Sequence, residues 1–207
     1  MDKNITSQTL SRLPLYFNYL RSLPEEKKKG NISATAIAEA LRLNDVQVRK
    51  DLASVSSGGR PKVGYLTSEL MNDIGRFLGF ENRDRVVVAG MGNFGRAMLE
   101  YNGFEAYGFD IVCGFDHNKD RVGSSINGKP VRHIDQLESF CKENDIRIGI
   151  ITVPETAAQE VCDRMAEAGI KFILNFAAVH LNAPKGVAVH NENISLTLAM
   201  LARCSAS

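Results

Sequence analysis

The stretch that most constrains this chain is Val86-Val87-Val88-Ala89 running directly into Gly90-Met91-Gly92-Asn93-Phe94-Gly95. A short apolar run of that kind reads as a buried parallel strand. It enters a Gly-x-Gly-x-x-Gly turn, and the helical pattern Arg96-Ala97-Met98-Leu99-Glu100 follows. In a dinucleotide-binding unit the three glycines have separate jobs. Gly90 makes the tight turn, Gly92 lets the backbone approach a pyrophosphate, and Gly95 lets the helix pack close to the strand. Met91, Asn93 and Phe94 complete the turn. The diphosphate then rests on the free amides at the helix N-terminus.

A glycine turn alone is weak evidence, but this one has its context. The apolar stretch Asp110-Ile111-Val112-Cys113-Gly114-Phe115 ends at Asp116. That is about 20 residues beyond the turn, where an acid that binds the adenosine ribose is expected. Such a carboxylate accepts from the ribose hydroxyls and repels a 2′-phosphate, which favours NAD over NADP. The competing reading of Asp116 is a cap or turn residue.

Strands and helices alternate beyond this point. Pro130-Val131 opens a short strand, Ile134 to Asn144 a helix, and Ile146 to Val153 a central strand stopped by Pro154. A helix over Ala157 to Ala168 and strands at Lys171 to Phe176 and Val187 to His190 complete the pattern. This alternation predicts a Rossmann-like parallel sheet with right-handed crossovers over residues 83–192. Thr152, Val153 and Pro154, with Asn175 and Phe176, fall at strand carboxyl ends, where such sheets bind ligands. They are candidates for the nicotinamide half. Residues 193–207 form a last helix with Ile194, Leu196, Leu198 and Leu201 apolar, a face suited to another subunit or to docking on its own domain.

The first 82 residues read differently. Leu10, Leu13, Phe17 and Leu20 mark an amphipathic helix over residues 7–23, with Pro14 expected near its start. Pro24 to Gly30 is a charged connector. Ser33 caps a helix over Ala34 to Leu41, and Asn44 or Asp45 caps another over Val46 to Val55. Two short helices so closely joined make a helix-turn-helix. Val48, Leu52 and Val55 pack inward and leave Gln47, Arg49, Lys50 and Ser54 facing out, as on a helix that enters a DNA major groove. Ser56-Ser57-Gly58-Gly59-Arg60-Pro61-Lys62 then reads as a wing whose Arg60 suits a narrow minor groove. Val63 and Tyr65 return to the core, and a helix over residues 66–80 closes a winged-helix domain. Glu81 to Arg85 is a polar linker.

Charge supports the division. The net charge is +1, but residues 1–82 hold twelve basic against nine acidic side chains, and residues 83–207 thirteen against fifteen. Five of the basic residues lie between Arg42 and Lys62, against Asp45 and Asp51. A basic segment ahead of a nucleotide domain is compatible with double-stranded DNA. The start of the chain has no signal-peptide core and no stretch is long enough to span a bilayer, so no membrane is involved and a cytoplasmic location is expected. Cys113, Cys141, Cys162 and Cys204 are scattered, which predicts reduced thiols and, with the four histidines, no metal site. With no room for a substrate domain, the cofactor reads as a signal and the chain as no enzyme. His180 is the residue to choose were it one.

These residues resemble the Rex family of redox-sensing transcriptional repressors. The resemblance runs from Arg12-Leu13-Pro14-Leu15-Tyr16 to Leu196-Thr197. It takes in Val48-Arg49-Lys50-Asp51-Leu52, Val63-Gly64-Tyr65, the glycine turn, Val153-Pro154, Ala157-Ala158-Gln159 and Leu174-Asn175-Phe176-Ala177. It implies a homodimer with winged-helix heads, Rossmann domains and exchanged C-terminal helices, bound to a palindromic operator and released by NADH in response to the NADH/NAD ratio. It further implies that Tyr101 lies beside the nicotinamide. Two departures stand out. The wing lacks the aromatic residues of many members. Ser195 occupies a position where many carry an aspartate, implied to exchange between the equivalents of Tyr101 and Arg12. Two other readings stay open: a regulator responding to another nucleotide ligand such as CoA, whose binding domains share this fold, and a small NAD-dependent oxidoreductase.

Overall fold

The computed structural model describes residues 5–204. Its contacts divide the chain into two compact units between Asn82 and Arg83. In the first unit, helix α1 (Ser7–Ser22) starts at Thr6, whose hydroxyl accepts from the Thr9 amide. The proline expected near the helix start is instead well inside it. Pro14 removes one backbone hydrogen bond, and burial of Leu13, Tyr16, Phe17 and Leu20 around it outweighs that loss. Leu10, expected on the same stripe, is exposed.

The charged connector contains one helical turn, α2 (Glu25–Lys28), closed by a Lys28–Glu25 ion pair. Strand β1 (Asn31–Ile32) leads to α3 (Ala34–Leu41), which Ser33 caps, and Asn44 caps α4 (Asp45–Val55). Strand β2 (Tyr65–Leu66) pairs antiparallel with β1, and α5 (Thr67–Phe77) closes the unit. Ile37, Val48, Leu52, Leu70 and Ile74 are fully buried between these helices. Val63, expected to return to the core, is exposed, because the chain is still in the turn there and re-enters at Tyr65.

Asp51 holds α1 to α4. It lies on the buried face of α4 beside Val48 and Leu52, and is 2% exposed. Thr9, Arg12 and Tyr16, spaced along one face of α1, all donate to it. Arg12 does so through Nε at 2.7 Å and a second guanidinium nitrogen at 3.0 Å. Tyr16 donates its hydroxyl at 2.8 Å, Thr9 at 3.1 Å, and Gln47 its amide at 2.9 Å. Burial pushes the Asp51 carboxyl up, but the Arg12, Tyr16, Gln47 and Thr9 hydrogen bonds outweigh it and hold the group below its ordinary value. The same burial, with Asp51 alongside, pushes Tyr16 up to about 12.

In the second unit, β3 (Asp84–Ala89) leads through the glycine turn to α6 (Asn93–Glu100). A 3₁₀ turn follows, then β4 (Phe109–Asp116), the hairpin of β5 (Ser125–Ile126) and β6 (Lys129–His133), and α7 (Leu137–Glu143). The remaining elements are β7 (Ile148–Ile151), α8 (Glu155–Glu167), β8 (Phe172–Asn175), β9 (Ala188–Asn191) and α9 (Ile194–Cys204). The sheet order is β5-β6-β4-β3-β7-β8-β9, parallel except for the β5–β6 hairpin. Without β5 this is the doubly wound order 3-2-1-4-5-6 of the Rossmann fold, whose switch point lies between β3 and β7. Alternation along β3 sends Val86 and Val88 to one apolar layer and Val87 and Ala89 to the other.

Cys113, Cys141 and Cys162 lie in the second of these layers, and burial pushes the Cys113 thiol up to about 11 and Cys141 up to about 12. Thiols so placed are core fillers, poor as nucleophiles or ligands. Along α9, Ile194, Leu196, Leu198, Met200 and Leu201 are each more than half exposed. The last three residues of the helix expected over 193–207 lie outside the described residues. No helix among the described residues is long and apolar enough to cross a membrane.

The α1–α4 clamp generates a prediction. Asp51→Asn leaves the Arg12 charge without its partner, and because Arg12 is itself part-exposed the cost falls at the lower end for a broken buried pair, about 3 kcal/mol. Since the folded Asp51 carboxyl is held below its unfolded value, this stabilisation is present above about pH 4 and is lost as pH falls through the folded value. Hydrogen exchange of α1 and α4 amides at neutral pH measures the cost as easier local opening. Unchanged exchange in Asp51→Asn contradicts the clamp.

Candidate dinucleotide site and nucleic-acid interface

The glycine turn lies at the switch point, and its three glycines do different things. Gly90 has φ +99, a left-handed conformation, and a Cβ there would meet the Thr152–Val153 backbone at 2.8 Å. A Cβ at Gly95 would strike the Gly90 carbonyl oxygen, so α6 sits directly on the turn. At Gly92 a Cβ would meet nothing within 4 Å. The structure itself thus requires Gly90 and Gly95, whereas Gly92 leaves space open to solvent. No side chain caps α6, so the amides of its first turn have no partner within the helix.

Neighbouring strands brace the turn. The Thr152 hydroxyl donates toward the carbonyls of Gly90 at 2.7 Å and Ala89 at 3.0 Å. Asp116, at the end of β4 and 4% exposed, accepts the Met91 amide at 2.7 Å and the Asn118 amide at 2.8 Å. Arg121 donates to it at 3.0 Å. Burial pushes the Asp116 carboxyl up, and these hydrogen bonds together hold it below its ordinary value. Asp116 is therefore a turn-bracing residue in this structure, the competing reading noted above. Its position beside the turn still suits a ribose, and three donors leave the carboxylate room for another.

Phe94 and Phe176 pack edge to face, ring centres 4.8 Å apart. With Thr152, Val153 and Ala178 they wall a cavity of about 270 Å³ that Glu192, Asn193, Ile194 and Ser195 close. Pro154 is exposed and opens α8 beside it.

Three expected cofactor residues are placed otherwise. Met91 is 1% exposed and fills the core, so only its backbone belongs to the turn. Asn175 is fully buried; its side chain donates to the Ala177 and Val179 carbonyls and to Asn191, and accepts the Ala177 amide. It shapes the β8 loop and has no surface to offer a ligand. Tyr101 ends α6, exposed and edge to face with Phe104, and is not among the residues lining the cavity of its own chain.

In the first unit, a second hollow, about 420 Å³, lies between the start of α3, Arg49 on α4, and the wing residues Arg60, Pro61 and Lys62. The wing closes where Arg60 and Gly64 exchange backbone hydrogen bonds at 2.9 Å in each direction. It is a tight turn, with Lys62 at φ 66 and Gly64 at φ 86. Arg60 and Lys62 are exposed on it. Arg49 is exposed and pairs with Asp45 at 2.8 Å, a contact of the kind that exchanges easily in solvent. Lys50 is exposed, Gln47 is drawn toward Asp51, and Ser54 donates to the Asp51 carbonyl within its helix. Arg49, Arg60 and Lys62 are thus brought to one hollow, while Gln47, Lys50 and Ser54 are not among its lining.

A Rossmann sheet with a glycine turn at its switch point, preceded by a small helical unit with a basic wing, defines a nucleotide-fold protein carrying a DNA-binding type of head. Comparisons make this specific. Residues 81–179 match the family profile described as "CoA binding domain", and residues 4–53 the one described as "Putative DNA-binding protein N-terminus". The redox-sensing transcriptional repressor Rex of Porphyromonas gingivalis is 38% identical over 97% of this chain and 92% of its own length. The Rex of Carboxydothermus hydrogenoformans is 41% identical over 95% of this chain and 94% of its own length. Among solved structures, RSP in complex with β-NAD⁺ and operator DNA is similar with a TM-score of 0.88 and 33% identity, over 97% of this chain and 92% of that one. RSP in complex with β-NADH gives 0.84 and 31%, over 97% and 94%. The chain belongs to the Rex family of redox-sensing transcriptional repressors.

The glycine geometry predicts opposite outcomes for two substitutions. Gly95→Val forces α6 off the turn and should cost more than about 3 kcal/mol, enough to lower the melting temperature by several degrees. Gly92→Val should leave the melting temperature within about 2 °C, as for a solvent-facing position. Equal losses at both positions contradict the assignment.

Proposed function

We propose that the second unit binds NAD(H) and that the first binds a palindromic operator, released when NADH occupies the site. The observation that carries this reading is Gly92: the one turn glycine that the fold does not need faces open space at an uncapped helix N-terminus. The diphosphate fits there, on the amides of Gly92, Asn93 and Phe94. Asp116 holds the adenosine ribose. The nicotinamide ring lies in the cavity walled by Phe94, Thr152, Val153 and Phe176, beside Pro154. The bound dinucleotide acts as an effector, and the chain is no enzyme: the cavity walls hold no histidine, and Glu192 is the one acid among them.

For the head, α4 is the recognition helix, with Lys50 and Arg49 toward the groove and Gln47 and Ser54 beside them. Arg60 and Lys62 contact the flanking backbone and minor groove. The exposed apolar face of α9 supports a homodimer that exchanges this helix, since a free helix with that face is costly in water. Two-fold symmetry then places half-sites one helical turn, ~34–36 Å, apart or a multiple of it. Domain limits of 1–82, 83–192 and 193–207, and a cytoplasmic location, follow from the same reading.

Calorimetry on Gly92→Val tests the ligand site: the protein stays folded and NADH binding is lost. Undiminished NADH affinity in the folded variant contradicts the assignment. For Asp116→Ala, NADH weakens and its advantage over NADPH narrows, because the charge that repels a 2′-phosphate is gone. An unchanged ratio of the two affinities removes Asp116 from ribose recognition. For DNA, Arg49→Ala, Lys50→Ala or Arg60→Ala should each flatten the log–log salt dependence of operator binding by about 1. Arg60→Ala should lose most on A·T-rich flanks, and equal loss on G·C-rich flanks shows that Arg60 touches only the backbone.

A further inference from the structure

Glu192 carries the only formal charge among the residues lining the cavity of the second unit. Its backbone is fixed by the sheet. The Glu192 amide donates to the Asn175 carbonyl at 2.8 Å, just past the point where Asn175 and Asn191 pair in register. The side chain is held on one side only: His190 Nε2 lies 2.8 Å from Oε1, and the Glu192 side chain is 43% exposed. Next in the chain is the start of α9, where Asn193 accepts the Leu196 amide. A helix N-terminus carries about half a positive charge, less than the whole charge of a carboxylate. Ser195, at the same rim, contributes a hydroxyl and no charge.

Oxidised nicotinamide is a cation and reduced nicotinamide is neutral. A carboxylate at the wall of a partly desolvated cavity therefore acts on one and hardly on the other. We propose that Glu192 is a specificity-determining residue for the dinucleotide's oxidation state, raising affinity for the cationic ring and leaving that for the neutral ring unaltered. The proposal rests on the dinucleotide reading above.

The test is calorimetry of NAD⁺ and NADH binding to the full-length protein at pH 8, above the ordinary histidine range, for wild type, Glu192→Gln and Glu192→Asp. Gln keeps the size and removes the charge. It should weaken NAD⁺ about three- to tenfold and leave NADH within about twofold, as expected for a single part-solvated charge. Asp keeps the charge and should hold the ratio near that of wild type. Because Glu192 is part-exposed, the NAD⁺ loss in Glu192→Gln should shrink at 1 M salt, where screening acts over ~3 Å. Equal weakening of both ligands shows a structural role and overturns the proposal, as does an unchanged ratio. A wild-type protein that binds neither ligand overturns the dinucleotide reading beneath it.

Discussion

Everything in the second unit that bears on a ligand depends on how α6 is seated on the β3 turn. The absence of a side chain at Gly95 lets the helix approach the Gly90 carbonyl closely. The same carbonyl accepts the Thr152 hydroxyl from the end of β7, and Asp116 at the end of β4 takes the Met91 amide. One turn is thereby fixed to both flanking strands of the sheet. Rigid seating matters because amides aimed at an anion stabilise it most when they need not reorganise to do so. Met91, buried with Leu99 and Val88, supplies the apolar floor of this arrangement.

The first unit rests on a different interaction. Asp51 places one carboxylate where three residues of α1 and one of α4 donate to it. A buried charge of this kind adds little net stability beyond an apolar substitute, but it accepts one geometry and rejects others. It fixes α4 against α1, and it engages Arg12. Arg12 is held within its own unit. A ligand at the second unit shifts any equilibrium of the chain only by its differential affinity for the two states.

Much of this was legible in the sequence because it is periodic or local. The apolar run of β3, the glycine spacing and the Ser33 and Asn44 caps follow from short-range patterns, and the alternation of strands with helices gives the parallel sheet. What was missed involves partners distant in sequence. Asp51 counted only as a charge, because its donors Thr9, Arg12 and Tyr16 lie about 40 residues upstream. Asn175 looked like a ligand at a strand end, and only the folded β8 loop shows its amide fully used. Pro14 inside α1 shows burial overriding a local breaker. The β5–β6 hairpin had a readable signal that went unused: Asn127-Gly128, both with positive φ, is the dipeptide favoured in two-residue hairpin turns.

The central claim is that the oxidation state of a dinucleotide held at the glycine turn decides whether the basic head holds DNA. Fluorescence anisotropy of a labelled palindromic operator, at constant total NADH plus NAD⁺ and fixed salt, tests it most directly. The account predicts that operator binding falls as the NADH fraction rises, and that Gly92→Val binds the operator without responding to that fraction. Operator binding that stays constant across the full range of ratios in the wild-type protein contradicts it.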